Sequence, residues 1–377
     1  MRALVVPLLW CACVLFRLGR GPADSAPVAL RRVAVFQMAK LGDMVCTTPV
    51  FRALKRAHPD VVLTVFGNAI NREVLEGSAD VDQYEVFDGI VSVFKRARSG
   101  RFDAAVITTP DIICAMVAYL AGIPFVVVPK VVNGSSPFET LWYRSLRVMA
   151  GFAVVEHRMK HYGPGEYLRL LAPLGVHEDD TTKHLAYSPQ ALRVAESVTG
   201  NADKSLLWVG ISPSAGFKAK NWGSKRFAAL ADRLSAEFGV VIFVFGGHRD
   251  ADETKEMLEA ISPKTRVVDL SGALSIDELK AAVSLMDLFV APDTGPVYIA
   301  EAFGVPTVDV LGPVYEEEQA PRGDMHERVV PPGPRVAQMY LMNVHQYDAK
   351  EVERQLNAIT VDQVYGACAR LLIKLGA

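Results

Sequence analysis

A short polar segment that follows an apolar run is the clearest place for chemistry. The run begins at Leu288, stops at Asp293, Thr294 and Gly295, and restarts with helical spacing up to Pro306. It predicts a strand, a tight turn and a helix. Such a turn places a carboxylate, a hydroxyl and an open backbone at a helix N-terminus, where unpaired N–H groups and the helix dipole favour an anion. The segment is therefore either a phosphate site or an ordinary helix cap.

A group of lysines lies earlier in the chain. Lys218, Lys220 and Lys225 surround Asn221 and Trp222. A lysine in such a loop could neutralise a diphosphate, which a departing nucleoside diphosphate requires as charge develops on it. The alternative is a solvated basic turn in which Trp222 serves only as an apolar plug.

Further candidates follow predicted strands at their carboxyl ends, where parallel α/β sheets bind ligands. Asp43 follows the first strand, although its simplest interpretation is a helix cap. In the second half of the chain the candidates at strand ends are Ser212, Ser214, Gly246, Gly247 and the Asp293 segment.

Alternating strands and helices must position these residues in the first half of the chain. Apolar runs predict strands at 33–37, 61–66, 85–87, 104–109 and 125–128, with helical patterns between them such as 112–121. Gly42 is predicted to make the turn after the first strand, and Pro49 to lie in the first turn of the next helix. The pattern from 135 to about 175 is helical. This alternation predicts a parallel sheet covered by helices on both faces.

A second alternation begins at residue 206. It predicts strands at 206–213, 240–245 and 267–270, and helices at 224–238 and 254–261, the first of which stops at Gly239. Ser275 and Glu278 have the spacing of a capping box that opens a helix through 285. The Asp293 segment is then the next strand, turn and helix. The polar stretch 176–203 is the predicted linker, and 352–375 is predicted to be helical.

Length and composition favour two domains, since the chain has 377 residues of which 50% are hydrophobic. A net charge of −2 provides no basic face for nucleic acid. The five cysteines are scattered and odd in number, which argues against a disulfide framework or a zinc site and favours a cytosolic protein body. We predict an apolar N-terminal extension at 1–30, domains at 31–180 and 200–345, and a helical segment at 346–377 that packs back on the first domain.

The N-terminal extension allows several interpretations. Residues 3–16 form an apolar run flanked by Arg2, Arg17 and Arg20, shorter than the roughly 17–25 residues that a bilayer-spanning helix needs. The run could be a signal peptide with Gly21 and Ala23 at its cleavage site. It could also be a peripheral anchor whose arginines meet anionic head groups. The remaining interpretation is a mistaken start codon or an unimportant extension. We favour membrane association from the cytoplasmic side.

Three separated blocks resemble glycosyltransferase family 9, which contains the bacterial lipopolysaccharide heptosyltransferases. The first is Leu-Gly-Asp-Met-Val-Cys-Thr-Thr-Pro at 41–49, followed by Arg-Ala-Leu at 52–54. The second is Ser-Pro-Ser-Ala-Gly at 212–216, with Lys-Asn-Trp at 220–222 and Arg-Phe at 226–227. The third runs from Leu-Ser-Gly at 270–272 through Asp-Thr-Gly-Pro at 293–296 to Gly-Val-Pro at 304–306 and Leu-Gly-Pro at 311–313.

The resemblance implies an α/β fold of the GT-B type, with two Rossmann-like domains facing each other across a cleft. The first domain would bind the acceptor and the second the nucleotide sugar. It implies an inverting, metal-independent enzyme without a cofactor. Such an enzyme would move a heptose or related sugar from a nucleoside-diphosphate sugar, here ADP-heptose, to a lipopolysaccharide-type or other cell-envelope glycan. The acceptor would be a glycolipid or oligosaccharide at the inner face of the cytoplasmic membrane.

The resemblance also implies roles for individual residues. Asp43 would be the general base in an acceptor-binding segment with Gly42, and a carboxylate at a helix N-terminus suits that role. Lys220 would contact the phosphates, to which Thr294 and Gly295 would donate hydrogen bonds. Asp293 would orient the turn or contact the sugar. The other implied nucleotide-sugar residues are Ser212, Ser214, Gly246, Gly247 and Tyr298.

One position departs from the family pattern. Family members commonly have a histidine where this chain has Tyr298. Tyrosine can still donate a hydrogen bond to a phosphate or sugar oxygen, but it cannot carry the positive charge of a histidine. This departure leaves the identity of the sugar open.

The sequence contains two weaker patterns and leaves two rival functions open. His157 and His161 have the spacing of a zinc pair but lack an apparent third ligand, and the acids at 316–318 are predicted to form a solvated loop. A sugar-nucleotide epimerase of the same architecture would need a second acid or base that faces the sugar. A catalytically silent relative that binds a nucleotide sugar is the other alternative.

Overall fold

The computed structural model describes residues 2–19, 29–200 and 202–376. They divide into two compact units. The first comprises Met1–Thr182 and Leu341–Asn343, and the second comprises Lys183–Tyr340 and Val344–Ala377. Each unit is built on one six-stranded sheet.

The sheet of the first unit is parallel throughout. Its strands are, in chain order, β1 (Arg32–Gln37), β2 (Val62–Gly67), β3 (Gln83–Val86), β4 (Ala104–Ile107), β5 (Phe125–Val132) and β6 (Ala153–Arg158). Their order across the sheet is β3-β2-β1-β4-β5-β6. This is the order of a doubly wound Rossmann sheet, in which the strand order reverses between β1 and β4.

Seven α-helices of the described residues belong to the first unit. They are α1 (Arg2–Leu18), α2 (Leu41–Ala57), α3 (Ala69–Val74), α4 (Ile90–Ser99), α5 (Ile112–Leu120), α6 (Leu141–Ala150) and α7 (Gly163–Arg169). One apolar core joins the sheet to α1, α4, α5 and α6, and within it the rings of Phe36 and Phe66 stack 4.6 Å apart. Helices α2 and α7 pack against each other.

The second unit repeats this topology. Its strands are β7 (Trp208–Ile211), β8 (Val241–Val244), β9 (Val267–Asp269), β10 (Leu288–Pro292), β11 (Thr307–Val310) and β12 (His326–Val329). All of them are parallel, in the order β12-β11-β10-β7-β8-β9. Counted from β7, this is the Rossmann order again, with the reversal between β7 and β10.

Helices cover the second sheet as well. They are α8 (Pro189–Thr199), α9 (Ser224–Phe238), α10 (Ala251–Ala260), α11 (Ile276–Ser284), α12 (Gly295–Ala302), α13 (Ala349–Ala358) and α14 (Val361–Lys374). Val290, Val308 and Val310 belong to a core shared with α9 and α14. Because side chains alternate along a strand, Ala291 and Asp309 point to the opposite face, on which α12 packs.

Several predictions are confirmed. The α/β class with parallel sheets is correct. Helix α9 has the predicted bounds, and Gly239 ends it with a φ of 66°. Ser275 and Glu278 form the predicted capping box at the start of α11.

The first turn of α2 differs from the prediction. The helix begins at Leu41, so Gly42 is helical and Pro49 lies in the helix interior. Proline lacks the N–H that would bond the carbonyl of Val45, and the Thr48 hydroxyl donates to that carbonyl instead, at 2.8 Å. This hydrogen bond lets the helix continue past Pro49. Because the helix begins at Leu41, Asp43 lies in its first turn.

Two segments form regular structure that the sequence pattern concealed. Within the region predicted to be helical, β6 pairs with β5 as an edge strand, and its alternating exposure weakened the apolar signal. Within the predicted linker, α8 starts at Pro189 after an N-cap by Ser188, and it packs on α11.

The C-terminal prediction was wrong in its packing partner. Residues 346–377 were expected to pack back on the first domain. Val364, Cys368 and Leu371 of α14 are instead buried in the core of the second unit beside α9. The apolar face of α14 therefore completes that core.

The N-terminal segment is not a separate extension, because α1 packs on α5 and α6 of the first unit. Cys13 is fully buried in the core there. Arg20, Gly21 and Ala23, on which the signal-peptide interpretation depends, lie outside the described residues. In the part of the chain that the structure describes, no helix has the length and hydropathy needed to cross a bilayer.

Candidate functional site

The candidate site of the second unit lies where its strand order reverses. Strands β7 and β10 are neighbours, and Ser212 and Asp293 follow their carboxyl ends. The backbone N–H of Ser212 donates to the carbonyl of Val290 at 3.0 Å. The structure therefore brings two predicted residues from distant parts of the chain to one edge of the sheet.

The Asp293 carboxylate is held from two sides. It is 4% exposed, and one oxygen accepts a hydrogen bond from the Lys220 ammonium while the other accepts one from the Tyr298 hydroxyl. Lys220 ends a short 3₁₀ turn at Lys218–Lys220, and Tyr298 lies on α12. Tyr298 is thus a hydrogen-bond donor to Asp293, a contact that the sequence could not reveal.

The N-terminus of α12 is adjacent to this carboxylate in the chain. Thr294 is the N-cap residue, but its hydroxyl makes no capping hydrogen bond, and Gly295 is the first helical residue. An N-terminus of this kind presents N–H groups and a partial positive charge to an anion. The predicted phosphate donors Thr294 and Gly295 therefore lie one and two residues after the carboxylate that binds Lys220.

The other predicted lysines are placed differently. The Lys218 ammonium contacts the Ser214 hydroxyl at 2.8 Å, Asp250 at 2.9 Å and Glu253 at 2.8 Å. Burial raises the pKa of the Asp250 carboxyl, but the hydrogen bonds from Lys218 and Ser214 hold this pKa below its ordinary value. Lys225 is exposed. Of the three lysines, Lys220 alone bonds the Asp293 carboxylate in the described residues.

The glycines after β8 allow close packing in the turn that follows this strand. A side-chain carbon at Gly246 would lie 2.6 Å from the Thr254 methyl group. The N–H of Gly247 donates to the second Asp250 carboxylate oxygen at 2.9 Å. Both glycines thus lie beside the Ser214 and Lys218 network.

Trp222 and Asn221 fix the loop that carries Lys220. Trp222 is 1% exposed, and its indole N–H donates to the carbonyl of Ile359 at 2.9 Å. The Asn221 side-chain oxygen accepts from the N–H of Ala215 at 2.7 Å. Trp222 is therefore the buried plug that one interpretation predicted, and it anchors the basic turn to the core.

A buried ion pair under Tyr298 was missed by the sequence analysis. The side chain of Lys183 is 1% exposed, and its ammonium lies 2.5 Å from the Glu301 carboxylate and 5.8 Å from the centre of the Tyr298 ring. A cation over an aromatic face is attracted by the electrons of the ring. Because Lys183 falls in the predicted linker, no sequence signal pointed to it.

A second missed residue is Asp309 on β11. It is fully buried, and neither carboxylate oxygen has a hydrogen-bond partner in the described residues. It pairs in register with Ala291, two residues before Asp293. Burial, reinforced by the negative charge of Asp293, raises the pKa of Asp309 well above its ordinary value. A carboxyl inside an otherwise apolar strand was the only sequence signal.

The candidate site of the first unit is the start of α2. Asp43 is the third helical residue, and its side chain is partly exposed. The N-cap residue, Lys40, makes no side-chain capping bond. The Asp43 carboxylate therefore lies at the end of the helix that carries a partial positive charge.

Side-chain amides hold the loop before Asp43. Gln37 is fully buried, donates to the Thr47 hydroxyl at 2.8 Å and accepts from the N–H of Ala39 at 3.0 Å. Asn68 and Asn71 both donate to the carbonyl of Ala39 at 2.9 Å. These contacts were missed, although a glutamine at the end of an apolar strand was a usable signal.

The two weaker sequence patterns have structural explanations. Because His157 lies in strand β6, it does not share a helix face with His161. The His157 side chain is 1% exposed, and burial lowers its pKa to about 4. The acids at 316–318 are not a solvated loop. Glu316 pairs with Arg335, Glu317 pairs with arginines 322 and 328, and Glu318 is 2% exposed. No group of three or more potential metal ligands occurs within the described ranges.

The chain matches a protein-family model over most of its length. Residues 90–332 match the model of glycosyltransferase family 9 (heptosyltransferase). The matched segment includes the Lys220 loop, the Asp293 segment and α12, and it begins after Asp43.

Individual relatives are distant in sequence but cover most of the chain. Lipopolysaccharide heptosyltransferase 3 from Escherichia coli is 23% identical over 282 residues, which are 72% of this chain and 80% of the relative. Among solved structures, a family 9 glycosyltransferase from Veillonella parvula has a TM-score of 0.77 at 19% identity, covering 93% of this chain and 100% of the other. The E. coli ADP-heptose LPS heptosyltransferase II has a TM-score of 0.72 at 19% identity, covering 92% and 100%. At these identities the likeness shows the fold, which is of the GT-B type.

Proposed function

Because the chain belongs to glycosyltransferase family 9, we propose that this glycosyltransferase moves a heptose or related sugar from a nucleoside-diphosphate sugar to a cell-envelope glycan. The Lys220–Asp293 pair beside the N-terminus of α12 carries the proposal. It combines a positioned cation with helix N–H groups at the point where a Rossmann sheet binds its ligand. The family name and the ADP-heptose in the name of a structural neighbour support ADP-heptose as the donor.

In the proposed reaction Asp43 is the general base. The acceptor hydroxyl attacks the anomeric carbon, a new carbon–oxygen bond forms, and the hydroxyl proton passes to the Asp43 carboxylate. The exposure of Asp43 at a helix N-terminus supports this role. Gly42, in the same helical turn, would contribute to acceptor binding, and Gln37 would position the loop.

The bond between the anomeric carbon and the diphosphate oxygen breaks, and the departing nucleoside diphosphate takes its electron pair. Lys220 and the N–H of Gly295 would neutralise its developing charge, with a further hydrogen bond from the Thr294 hydroxyl. Asp293 would aim Lys220, and Tyr298 would orient Asp293 rather than donate to the phosphate. The nucleotide side of this diphosphate site would be lined by Ser212, Ser214, Gly246 and Gly247. All of these steps use groups of the chain itself, without metal.

The acceptor is proposed to be a lipopolysaccharide-type glycolipid or its oligosaccharide, used at the inner face of the cytoplasmic membrane. The names of the relatives support this acceptor class. The exposed apolar side chains of α1 support the membrane location.

One assay tests the proposal. Purified protein is incubated with ADP-heptose, or with other ADP-, GDP- and UDP-sugars, and a membrane glycolipid extract, and the released nucleoside diphosphate is measured. We expect release that depends on both the donor and the acceptor, with ADP-heptose preferred. Release from no donor would reject the transferase. Conversion of the donor sugar without diphosphate release would indicate an epimerase instead.

A further inference from the structure

Helix α1 has a second apolar face that points away from the protein. Leu8, Cys11, Leu15 and Leu18 follow one another at spacings of three or four residues, so they share one side of the helix. The three leucines are 71%, 70% and 81% exposed, and Cys11 is also exposed. A helix that belonged only to the core of the unit would have polar residues on this side.

Helix α6 continues the same surface. The rings of Trp10 and Trp142 meet edge to face at 5.4 Å, and Leu141 and Val148 are 80% and 85% exposed. Six large apolar side chains of the described residues are at least 70% exposed, and five of them lie on these two helices. We call Leu8, Leu15, Leu18, Leu141 and Val148 the α1–α6 surface.

The inner side of α1 keeps the helix on the protein. Cys13 is buried in the core of the first unit, and the ring of Phe16 packs edge to face on Tyr119 at 5.3 Å. Releasing α1 would expose these contacts to water. The helix therefore lies on the unit as a structural part of it, with its outer side available to a partner.

The charges around this surface identify the partner. Neither helix contains an acidic residue. Arg147 is buried in an ion pair with Glu139, which Arg144 also approaches to 3.6 Å. Among the described side chains of the two helices, the basic groups at the surface are therefore Arg17, which is partly exposed, and Arg144. The side chain of Arg144 is 60% exposed between Leu141 and Val148. An apolar stripe bordered by arginines, with a tryptophan at its edge, is typical of a helix in the headgroup region of an anionic membrane.

We propose that the α1–α6 surface docks on an anionic lipid bilayer, with its aliphatic side chains at the headgroup boundary and with Arg17 and Arg144 on the lipid phosphates. A second copy of the chain fits less well. In a two-fold dimer the same surface meets itself, which would bring like-charged arginines together. The inference rests on the proposed function in one respect, since a lipid-linked acceptor gives this docking its use.

Vesicle flotation of the full-length protein, without donor or acceptor, tests the docking. Vesicles contain phosphatidylcholine alone or phosphatidylcholine with phosphatidylglycerol. We expect flotation with the anionic vesicles, and an affinity about tenfold or more lower for the Leu15→Gln/Val148→Gln variant, which removes two inserted aliphatic side chains. Arg144→Gln should weaken binding less and reduce its dependence on salt.

The control is Val336→Gln, which changes a side chain that is 70% exposed on the second unit and should not alter flotation. All variants should melt at the wild-type temperature, because the changed side chains are exposed. Equal flotation of the double variant and the wild type would overturn the proposal. So would absence of flotation, or equal binding to neutral vesicles. A wild-type dimer in size-exclusion chromatography that the double variant abolishes, without vesicle binding, would assign the surface to self-association.

Diphosphate release with a lipid-free oligosaccharide acceptor separates this inference from the proposed function. The double variant should retain that activity. Flotation without any transferase activity would reject the transferase and leave the docking intact, whereas activity without flotation would do the reverse.

Discussion

The two units use the same strand–turn–helix arrangement to hold a carboxylate in different ways. In the first unit β1 leads to α2. In the intervening loop the N–H of Ala39 donates to Gln37, and its carbonyl accepts from Asn68 and Asn71. The Asp43 side chain remains partly exposed. In the second unit β10 leads to α12, and the Asp293 carboxylate is itself buried and bonded by Lys220 and Tyr298.

This difference separates a reacting group from a positioning group. A base must reach its substrate, so a rigid loop with an accessible carboxylate suits Asp43. A buried carboxylate with both oxygens engaged does not reach a substrate hydroxyl, but it can fix a cation in one place. We therefore expect the two aspartates to respond differently to substitution.

Asp43→Asn should have the largest effect. Loss of a general base should lower turnover by about 10²–10⁴-fold. The donor KM should change little, because the proposed donor contacts are in the second unit. Acceptor-dependent diphosphate release under initial-rate conditions measures both constants. Asp60→Asn, an exposed aspartate just beyond α2, is the matched control. Turnover that survives in Asp43→Asn would remove this residue as the base.

Lys220→Met should rank second. Removing one positioned cation from the developing diphosphate charge should lower kcat/KM by about 10²–10³-fold. The variant should also unfold about 1–3 kcal/mol more easily, because Asp293 loses a charged partner. Lys225→Met, an exposed lysine in the same region, should leave activity and melting temperature unchanged. A Lys220→Met enzyme that is less stable but fully active would reduce Lys220 to a structural role.

Tyr298→Phe should have a smaller effect than either. The ring and its contact with Lys183 are retained, but the hydroxyl no longer bonds Asp293. We expect kcat/KM to fall about 3–10-fold and unfolding to become about 1–2 kcal/mol easier. Tyr365→Phe removes a hydroxyl that donates to Glu237 elsewhere on the unit and serves as the control. A Tyr298→Phe enzyme with a donor affinity lowered as strongly as that of Lys220→Met would instead indicate direct contact between Tyr298 and the phosphate.

The sequence predicted the parts of the fold that depend on local pattern. Helix α9, the Gly239 stop and the α11 capping box are specified by residues close together in the chain. The exposed edge strand β6 and the packing of α14 depend on which distant surfaces are available, and both were predicted wrongly.

The same limit applies to the candidate site. Asp293, Thr294 and Gly295 form a recognisable unit because they are consecutive. Lys183 and Asp309 come close to these residues only in the folded protein. Lys183 lies in the predicted linker and contacts the Tyr298 ring, and Asp309 lies inside a strand and pairs with Ala291. Spacing along the chain carries no information about such contacts, so neither residue could be assigned beforehand.

Asp309→Asn tests whether the buried Asp309 carboxyl links folding to pH. Asp309 is buried without a hydrogen-bond partner in the described residues, and its pKa is raised by burial and by the charge of Asp293. Glu301 raises it further, whereas Lys220 and Arg328 oppose the shift. Unfolded, an aspartate loses its proton near pH 3.8. Above that pH the folded protein binds more protons than the unfolded chain, so stability falls as the pH rises towards the raised pKa.

Asparagine has nearly the shape of the neutral acid and does not titrate, so the substitution should remove this slope. The variant should melt above the wild type at about pH 8, and the difference should shrink as the pH falls towards about pH 4. Thermal unfolding across this range measures it, with the exposed Asp324→Asn as control. A difference that stayed constant with pH would show that the Asp309 proton is not linked to folding.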